Sequence, residues 1–313
     1  MNLQQLEYII AVDTYRHFAK AAEKVFVTQP TLSMMIQKLE QELGVQIFDR
    51  SRQPVETTPE GREVVDRAKQ IIADVNRLKE YTRELKHDVS GELKIAVIPT
   101  LAPYLLPLFL KNFVERHPEV KVHVRELVTN DIVTSLKNGT VDIGILATPL
   151  HEIKLEEHPV FFEEFLAYAA PGERVSRKKY VLPKDIDLRK LWLLEEGHCL
   201  RNQVFNLCEL KKMDVASDRL HYEAGSIETL KNLVDNHKGI TILPYLATLN
   251  FSSKKRLQIR EFAQPKPVRE ISLVVNRNFA RMNTLKALKH EIEISLPKGM
   301  NVGSKKKVME VLK

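Results

Sequence analysis

The sequence predicts an α/β protein in which an all-α head with a small β-wing precedes a long helix and a larger α/β region. Residues 1–60 show three short stretches of helical periodicity, followed by two short apolar strands. Residues 64–85 repeat apolar side chains at alternating steps of four and three. Beyond residue 91, strand-like and helix-like stretches alternate, which is typical of a mostly parallel sheet.

The length and composition are those of an ordinary globular protein. The 313 residues suggest two or three domains, and 43% of them are hydrophobic and 28% charged. No apolar stretch approaches the length of about 18 residues that a membrane-spanning helix needs. Residues 1–22 lack the basic start and apolar middle of a signal peptide. We therefore expect a cytoplasmic protein without membrane contact.

The charge distribution does not by itself point to DNA. The net charge of +7 permits nucleic-acid binding, but residues 1–60 hold six Lys or Arg and eight Asp or Glu. The basic excess lies instead near the C-terminus, where residues 251–290 hold ten basic and two acidic side chains. A case for DNA binding must therefore rest on sequence pattern.

The third helix of the head is the candidate for reading DNA. Thr28 is a suitable N-cap, Pro30 lies in the first turn, and Gly44 ends the helix. Its predicted buried stripe is Leu32, Ile36, Leu39 and Leu43. Side chains off that stripe, with the basic wing at residues 50–54, are predicted to contact bases and phosphates: Gln29, Pro30, Thr31, Ser33, Met34, Gln37, Lys38, Arg50 and Arg52.

A single long helix follows, with a start at Thr58 and Pro59 and a predicted end at His87. The a and d positions of three heptads carry Val64, Ala68, Ile71, Val75, Leu78, Thr82 and Leu85. Packing of this stripe on its own domain is one interpretation. A dimerisation seam is favoured, because a helix of this length after a small head exceeds what the head can cover.

Six stretches of the head resemble the DNA-binding module of the LysR-type transcriptional regulators: residues 18–23 (FAKAAE), 27–33 (VTQPTLS), 38–40 (KLE), 42–44 (ELG), 48–50 (FDR) and 58–61 (TPEG). Met34 and Met35 depart from the pattern, since relatives usually carry polar or basic residues there. The resemblance implies that the partners are a double-stranded DNA operator, RNA polymerase, and further copies of this chain assembled as a dimer of dimers.

The same resemblance implies a domain order. A winged helix-turn-helix DNA-binding domain is expected at residues 1–60 and a linker or dimerisation helix at 61–88. A two-lobed, periplasmic-binding-protein-like (Rossmann-like) regulatory domain is expected to follow. Its lobe I comprises residues 91–162 and 267–300, its lobe II residues 163–266, and residues 301–313 are a flexible tail. The strands predicted in this domain are 93–98, 120–128, 141–146, 161–169, 191–194, 239–244 and 269–275; the helices are 103–116, 131–138 and 226–236.

Cys199 and Cys208 are the two cysteines of the chain. Cys199 lies where a strand gives way to a helix, beside His198 and Arg201, and a helix N-terminus with nearby cations predicts a lowered thiol pKa. An unbroken helix would hold the two Cα atoms about 13 Å apart, whereas a disulfide needs about 4.4 to 6.8 Å. The pair can therefore close only if the segment refolds. Inert small hydrophobes are the alternative interpretation.

Residues 197–208 (GHCLRNQVFNLC) resemble the sensor segment of the peroxide-responsive LysR-type regulators, and residues 98–107 (IPTLAPYLLP) resemble a further stretch of the same proteins. The resemblance implies an activator of oxidative-stress genes, switched when hydrogen peroxide drives formation of a Cys199–Cys208 disulfide, and reset by a thiol reductant such as glutaredoxin or thioredoxin. It also implies a peroxide pocket formed by Thr100, Thr129, His198, Arg201 and Arg269. Asn202 departs from the pattern by replacing an acidic residue.

Two other functions are compatible with the residues. The first is a regulator of the same family that binds a small metabolite between the lobes and has inert cysteines. The second is a thiol peroxidase or disulfide oxidoreductase, which would need neither the head nor the apolar seam and would more often carry C-x-x-C. The spacing of the two cysteines is not that of a zinc site, so no metal or other cofactor and no catalytic residue are predicted.

Overall fold

The computed structural model describes residues 1–84, 89–208, 223–298, 300, 307 and 308; the side chains of residues 77, 79, 80, 82–84, 307 and 308 lie outside that description. The chain divides into two compact units, Met1–Lys86 and His87–Lys313. Among the helices described, none is long and apolar enough to cross a membrane.

The first unit has three short helices, a two-stranded wing and one long helix. These are α1 (Leu3–Tyr15), α2 (Phe18–Lys24), α3 (Gln29–Leu43), β1 (Phe48–Asp49), β2 (Glu56–Thr57) and α4 (Pro59–Glu84). Asn2 and Gln5 cap α1 reciprocally, and the Thr28 hydroxyl accepts a hydrogen bond from the Thr31 amide at the start of α3. Gly44 ends α3 with φ of 68°, a conformation that favours glycine.

The core of this unit lies where the apolar faces of α1, α2 and α3 meet the wing. Leu32, Ile36 and Leu39 are fully buried there, as predicted. Leu43 was predicted to join them but is 38% exposed, because the last turn of α3 extends beyond the core. Gly61 packs so closely that a Cβ atom would lie 2.2 Å from the Ile47 carbonyl oxygen, which explains the glycine in the first turn of α4.

The predicted seam of α4 divides into two parts. Ala68 is buried in the core of its own unit, and Val64 packs against that core. Ile71 and Leu78, by contrast, are 40% and 66% exposed. Val75 is half-buried, whereas Leu85 and the side chain of Thr82 lie outside the described residues. The first part of the stripe therefore holds the head together, and the second part remains uncovered.

Lobe I of the second unit begins with three parallel strands. They are β3 (Gly91–Val97), β4 (Val120–Glu126) and β5 (Ile143–Thr148), in the order β4-β3-β5, connected by α5 (Ala102–Arg116) and α6 (Thr129–Lys137). The predicted helix at 131–138 in fact starts at Thr129. This residue therefore opens a helix, where the sequence placed it at the end of a strand.

Two long strands connect the lobes. They are β6 (Leu155–Ala169), on the way out of lobe I, and β12 (Pro267–Asn276), on the way back, and they pair antiparallel from Leu155 to Glu164. Because β12 pairs antiparallel with both β5 and β6, the expectation of a mostly parallel sheet is met in lobe I by β3, β4 and β5 but not by the two long strands. The prediction also started β6 too late, at residue 161.

Lobe II contains the strands β7 (Tyr180–Val181), β8 (Leu193–Leu194), β9 (Glu223–Ala224), β10 (Ile240–Pro244) and β11 (Ile259–Phe262), with the helices α7 (Cys199–Leu207), α8 (Ile227–His237) and α9 (Ser253–Arg256). The last part of β6 pairs antiparallel with both β10 and β11. Each lobe has its own hydrophobic core, so the two crossing strands are the covalent connection between two separately packed bodies.

Two elements near the C-terminus differ from expectation. Helix α10 (Met282–Ser295) was not predicted, and it packs in lobe I with Leu285, Leu288 and Ile292 buried. Part of the predicted tail forms β13 (Lys307–Val308), which pairs parallel with Pro267 and Val268 of β12. The remainder of residues 301–313 lies outside the described residues.

Candidate functional site

Cys199 lies at the boundary between the two lobes. It is the first residue of α7 in lobe II, yet its side chain is only 3% exposed and packs with the apolar core of lobe I. Leu200, Val204 and Leu207, which follow on the same helix, pack in the core of lobe II. The first turn of α7 therefore places a sulfur atom of one lobe against the other.

A turn at Gly197 positions Cys199 at the boundary between the lobes. The chain leaves β8, passes through Gly197 with φ of 97°, and enters α7 from the extended N-cap residue His198. A Cβ atom at Gly197 would lie 3.8 Å from a methyl group of Val128, the residue that precedes α6. The turn thus brings the start of α7 next to the start of α6, which Thr129 opens.

Arg269 of β12 is the charged group of the site. It is fully buried, and its Nη1 and Nη2 donate to Oγ1 and the carbonyl oxygen of Thr100 at 3.2 and 3.3 Å. On its other side, Nε donates to Oε2 of Glu163 at 2.7 Å. Arg269 and Glu163 are direct neighbours across β12 and β6. The predicted pocket residue Arg269 is therefore a guanidinium that joins Thr100 to a buried carboxylate.

The pKa of the Cys199 thiol is raised, which corrects the prediction from sequence. Burial is the largest cause, and it outweighs the Arg269 guanidinium, the Thr129 hydroxyl and the amides of Leu200 and Cys199, all of which lower the pKa. The helix N-terminus was identified correctly, but desolvation of the sulfur could not be read from neighbouring residues. The resting group is a protonated thiol, surrounded by donors that stabilise the thiolate once it forms.

Thr129 supplies an unsatisfied hydroxyl. Its Oγ1 is buried and has no partner at hydrogen-bond geometry among the residues that the structure describes. The Thr129 hydroxyl lowers the pKa of the nearby Cys199 thiol. A buried hydroxyl without a partner costs about 1–3 kcal/mol. The Thr129 hydroxyl is therefore a hydrogen-bonding group that a small polar ligand beside the sulfur could use.

His198 and Arg201 were also predicted to line the pocket. His198 is buried, and burial lowers the pKa of its imidazole despite the Glu195 carboxylate, whose Oε1 lies 3.7 Å from Nε2. It is therefore neutral at neutral pH. Arg201 donates to the Leu194 carbonyl oxygen at 2.6 Å and lies over the Phe205 ring, 5.3 Å from its centroid. The cation foremost in lowering the pKa of the thiol is Arg269, whereas the sequence indicated Arg201.

Cys208 lies at the other end of α7. Its amide donates to the Val204 carbonyl oxygen at 3.0 Å as the C-cap of the helix, and burial raises the pKa of its thiol to about 12. Both cysteines are free. Because α7 is regular from Cys199 to Leu207, its rise places the two Cα atoms about 13 Å apart. A disulfide between them requires this helix to unwind.

Sequence reasoning missed two groups that connect the lobes. Glu163 is one, and Tyr104 is the other: its hydroxyl, on α5, donates to Oε1 of Glu228 on α8 at 2.7 Å. Lys231 donates to the same oxygen at 2.7 Å. Burial and the Glu228 carboxylate raise the pKa of the Tyr104 hydroxyl. No local pattern marks either group, because the partners are distant in sequence.

The predicted DNA-reading surface lies on the first unit, along α3 and the wing. Its exposed members are Gln29, Pro30, Thr31, Met34, Gln37, Lys38 and Arg52. Ser33 and Arg50 are half-buried and contact each other, since Arg50 Nη1 donates to the Ser33 hydroxyl at 2.9 Å. Arg50 also bonds to Glu40 at 3.0 Å and lies over the Phe18 ring. It therefore fixes the wing to α3, a role that the sequence did not indicate.

A metal centre is not evident in the part of the chain that the structure describes, where no three His, Cys, Asp or Glu side chains are grouped to hold an ion.

Comparison with known proteins agrees with this architecture. Residues 3–62 match the bacterial regulatory helix-turn-helix protein family of LysR type, and residues 86–293 match the LysR substrate-binding domain. A helix-turn-helix head joined to a two-lobed binding domain defines a DNA-binding transcriptional regulator. The chain belongs to the LysR family of bacterial regulators.

Several relatives carry informative names. The chain is 34% identical over 274 residues to the hydrogen peroxide-inducible genes activator of Haemophilus influenzae, covering 88% of this chain and 90% of that protein. It is 35% identical over 275 residues to the dual regulator OxyR of Escherichia coli, covering 88% and 89%. Full-length OxyR C199D from Pseudomonas aeruginosa has a similar structure, with a TM-score of 0.76, 29% identity, and coverage of 94% and 98%. EstR of Acinetobacter baylyi is also 34% identical over 281 residues, covering 88% and 91%.

Proposed function

We propose that this protein is a transcriptional regulator that senses hydrogen peroxide through Cys199. The observation that carries the proposal is the buried thiol beside an unsatisfied Thr129 hydroxyl, with Arg269 and two helix amides placed to stabilise a thiolate. Relatives named as hydrogen peroxide-inducible activators support it. In this proposal Thr100, Thr129, His198, Arg201 and Arg269 form the peroxide pocket.

The reaction follows from the groups present. The Cys199 thiol loses its proton, and the thiolate attacks one peroxide oxygen; the O–O bond breaks, hydroxide leaves, and a sulfenic acid forms. The hydroxyls of Thr100 and Thr129 orient the peroxide and donate to the departing oxygen. The Cys208 sulfur then attacks the sulfenic sulfur, water leaves, and the disulfide forms. Two thiols have supplied the two electrons that reduce one peroxide to two waters.

The size of the site favours a small oxidant over a metabolite. Because Cys199, Thr100, Thr129 and Arg269 are all buried, a ligand larger than peroxide would have to separate the lobes to reach them. The name of the relative EstR does not mention peroxide. A regulator that binds a small metabolite is therefore the second candidate function. A peroxidase is disfavoured, because the chain has the helix-turn-helix head of a regulator.

The output of the switch is proposed to be altered DNA binding by an oligomer. Unwinding of α7 changes the surface of lobe II, and we propose that this rearranges a dimer of dimers paired through the uncovered part of α4, in residues 61–88. The partners in this scheme are a double-stranded operator and RNA polymerase, in the cytoplasm where DNA is found. A dithiol protein such as glutaredoxin or thioredoxin returns the two electrons.

Mass spectrometry after one equivalent of peroxide tests the chemistry. The wild type should lose two mass units as the disulfide forms, and Cys208→Ser should gain one oxygen at Cys199, trappable by a sulfenate-specific reagent. Cys199→Ser should show neither change. An unmodified wild type that still responds to a metabolite in DNA-binding assays would favour the second candidate.

Thr129→Val tests the pocket itself. The substitution removes the hydroxyl with little change in volume, so peroxide should oxidise Cys199 about tenfold or more slowly, in line with the loss of one donor to a developing charge. The free energy of unfolding should change little, because the Thr129 hydroxyl has no hydrogen bond of normal geometry among the described residues. The matched control is Thr134→Val, at an exposed position of α6, which should react at the wild-type rate. Equal rates for both variants would remove Thr129 from the reaction.

A further inference from the structure

Glu163, the carboxylate of the fully buried ion pair behind the thiol site, is not used by the chemistry above. Glu163 and Arg269 both have no exposed side-chain surface, and Oε2 of Glu163 lies 2.7 Å from Nη2 of Arg269. The same oxygen accepts from Nε at 2.7 Å, and the second carboxylate oxygen accepts the Leu246 amide at 2.7 Å. Both oxygens of Glu163 are therefore occupied, and the carboxylate is held in one position between β12 and the segment that follows β10.

The Glu163 carboxylate contacts Arg269, and Arg269 in turn influences the Cys199 thiol. Burial raises the pKa of the Cys199 thiol, and the Arg269 guanidinium is foremost among the groups that lower it. A cation near a thiol in a dry site favours the thiolate strongly. An anion in contact with that cation offsets part of its effect, because the field at the sulfur is the sum of both charges. Glu163 is the anion in contact with Arg269.

We propose that Glu163 is a positioning residue of the thiol site, which holds Arg269 against Thr100 and offsets its charge so that Cys199 remains a protonated thiol until an oxidant arrives. The role rests on the proposed function for its biological meaning, but it is a statement about the thiol and can be measured without peroxide. Glu163 acts through Arg269 and does not touch the reacting atoms. Glu163 thereby limits thiolate formation before the oxidant arrives, and it keeps the Arg269 guanidinium in place for the reaction.

A structural role for the same pair makes a different prediction. If Glu163 only ties β6 to β12, its loss should loosen the protein and leave the titration of Cys199 where it was. If it offsets the charge of Arg269, its neutralisation should shift that titration to lower pH. The direction of the shift in the Cys199 pKa therefore distinguishes the two roles, even if neutralisation of Glu163 also lowers the stability of the protein.

The test uses full-length protein in a Cys208→Ser background, so that Cys199 is the one remaining thiol. Its pKa is read from the rate of iodoacetamide alkylation against pH. Glu163→Gln should lower this pKa by about one pH unit. The control Glu164→Gln changes the neighbouring carboxylate, which pairs with Lys266 at 2.9 Å, and should leave the pKa unchanged. A folded Glu163→Gln protein that titrates like the parent overturns the proposal.

A second variant covers the case in which an uncompensated Arg269 prevents folding. Glu163→Gln combined with Arg269→Gln removes both charges together, which is tolerated better than removal of one partner. Its thiol pKa should lie above that of the parent, because the stabilising guanidinium is lost, and no higher than that of Arg269→Gln alone, because in that variant the Glu163 carboxylate remains to oppose the thiolate. A lower or unchanged pKa in the double variant contradicts the proposal. If the parent forms no sulfenic acid with peroxide, the proposed function fails, and these alkylation profiles still decide the role of Glu163.

Discussion

Opposing effects meet at the sulfur atom of Cys199. Removal from water favours the thiol, while Arg269, Thr129 and the first amides of α7 favour the thiolate, and burial is the larger influence on the pKa. A protonated resting state limits reaction with adventitious electrophiles. The groups that favour the thiolate remain in place to stabilise negative charge once a proton has left.

The raised pKa gives a prediction for the pH dependence of reactivity. In the Cys208→Ser variant, the alkylation rate of Cys199 should rise about tenfold per pH unit from pH 7 to 9, because only the thiolate reacts. The sign follows from the direction of the shift: a raised pKa keeps the reactive fraction small until the pH exceeds the ordinary thiol value of about 8.5. The urea-unfolded protein is the control, and its rate should level off near that value. A plateau below pH 7 in the folded protein would mean a thiolate at rest.

The polar residues of α3 are predicted to differ in what they support. Gln29 is exposed, so Gln29→Ala should lower operator affinity by about 1–3 kcal/mol and leave the melting temperature unchanged. Ser33 accepts a hydrogen bond from Arg50, so Ser33→Ala should lower both affinity and stability, the latter by about 0.5–1.5 kcal/mol. Gel-shift titration and thermal unfolding measure the two quantities. Gln4→Ala, exposed on α1, is the control; equal affinities for it and Gln29→Ala would exclude Gln29 from recognition.

Helix α7 is the element on which the proposed switch depends. Its first residue packs with lobe I and the rest of it with lobe II, and its regular backbone holds the two cysteines apart. A disulfide supplies the driving force to break this element, since the bond fixes Cα atoms at about 4.4 to 6.8 Å. In the proposed switch, Val204 and Leu207 would then lose their packing in lobe II, and the surface of that lobe would change.

Hydrogen exchange tests this unwinding. Amides of residues 204–207 should lose protection in the oxidised protein, because their hydrogen bonds belong to a helix that the disulfide cannot accommodate. Amides of α8 serve as the internal control and should exchange alike in both states. Should residues 204–207 exchange identically while mass confirms the disulfide, the two cysteines were already adjacent in solution and the refolding argument is wrong.

At the scale of the whole molecule, the proposed assembly depends on α4. Its first half is used by the head, whereas Ile71, Leu78 and Tyr81 expose apolar surface along the remainder. Replacing Ile71 and Leu78 with Lys should dissociate the dimer, because burial of an unpaired ammonium group is strongly unfavourable. Sedimentation should report the smaller species while circular dichroism shows both units folded.

A matched control is available on the second unit. Val114 and Ile153 are also exposed apolar residues, and the pair Val114→Lys with Ile153→Lys should leave the oligomer intact. If the α4 variant sediments like this control, the exposed stripe is not the dimer seam.

Local patterns were sufficient for much of the fold. Caps such as Thr28 and stops such as Gly44 predicted α3, because a helix end is determined by its nearest residues. The start of β6 was missed because residues 155–160 (LEEHPV) contain charges and Pro159, which disfavour a strand. The register of β6 against β12 is in fact irregular at this point, between Ile271 and Ser272. Here pairing with a distant strand overrides local preference.

The sequence by itself determined the family and the helix-turn-helix head, and it predicted roles for the two cysteines and for Thr100 and Thr129, because these are properties of short stretches. Only the tertiary structure decided that Arg269 faces the thiol with Glu163 behind it, and that Arg50 binds Ser33. It also decided that the thiol pKa is raised where the sequence indicated that it is lowered. The physical reason is that desolvation and Coulomb interaction depend on every group within a few ångströms, and the chain brings those groups together from strands and helices that are remote in sequence.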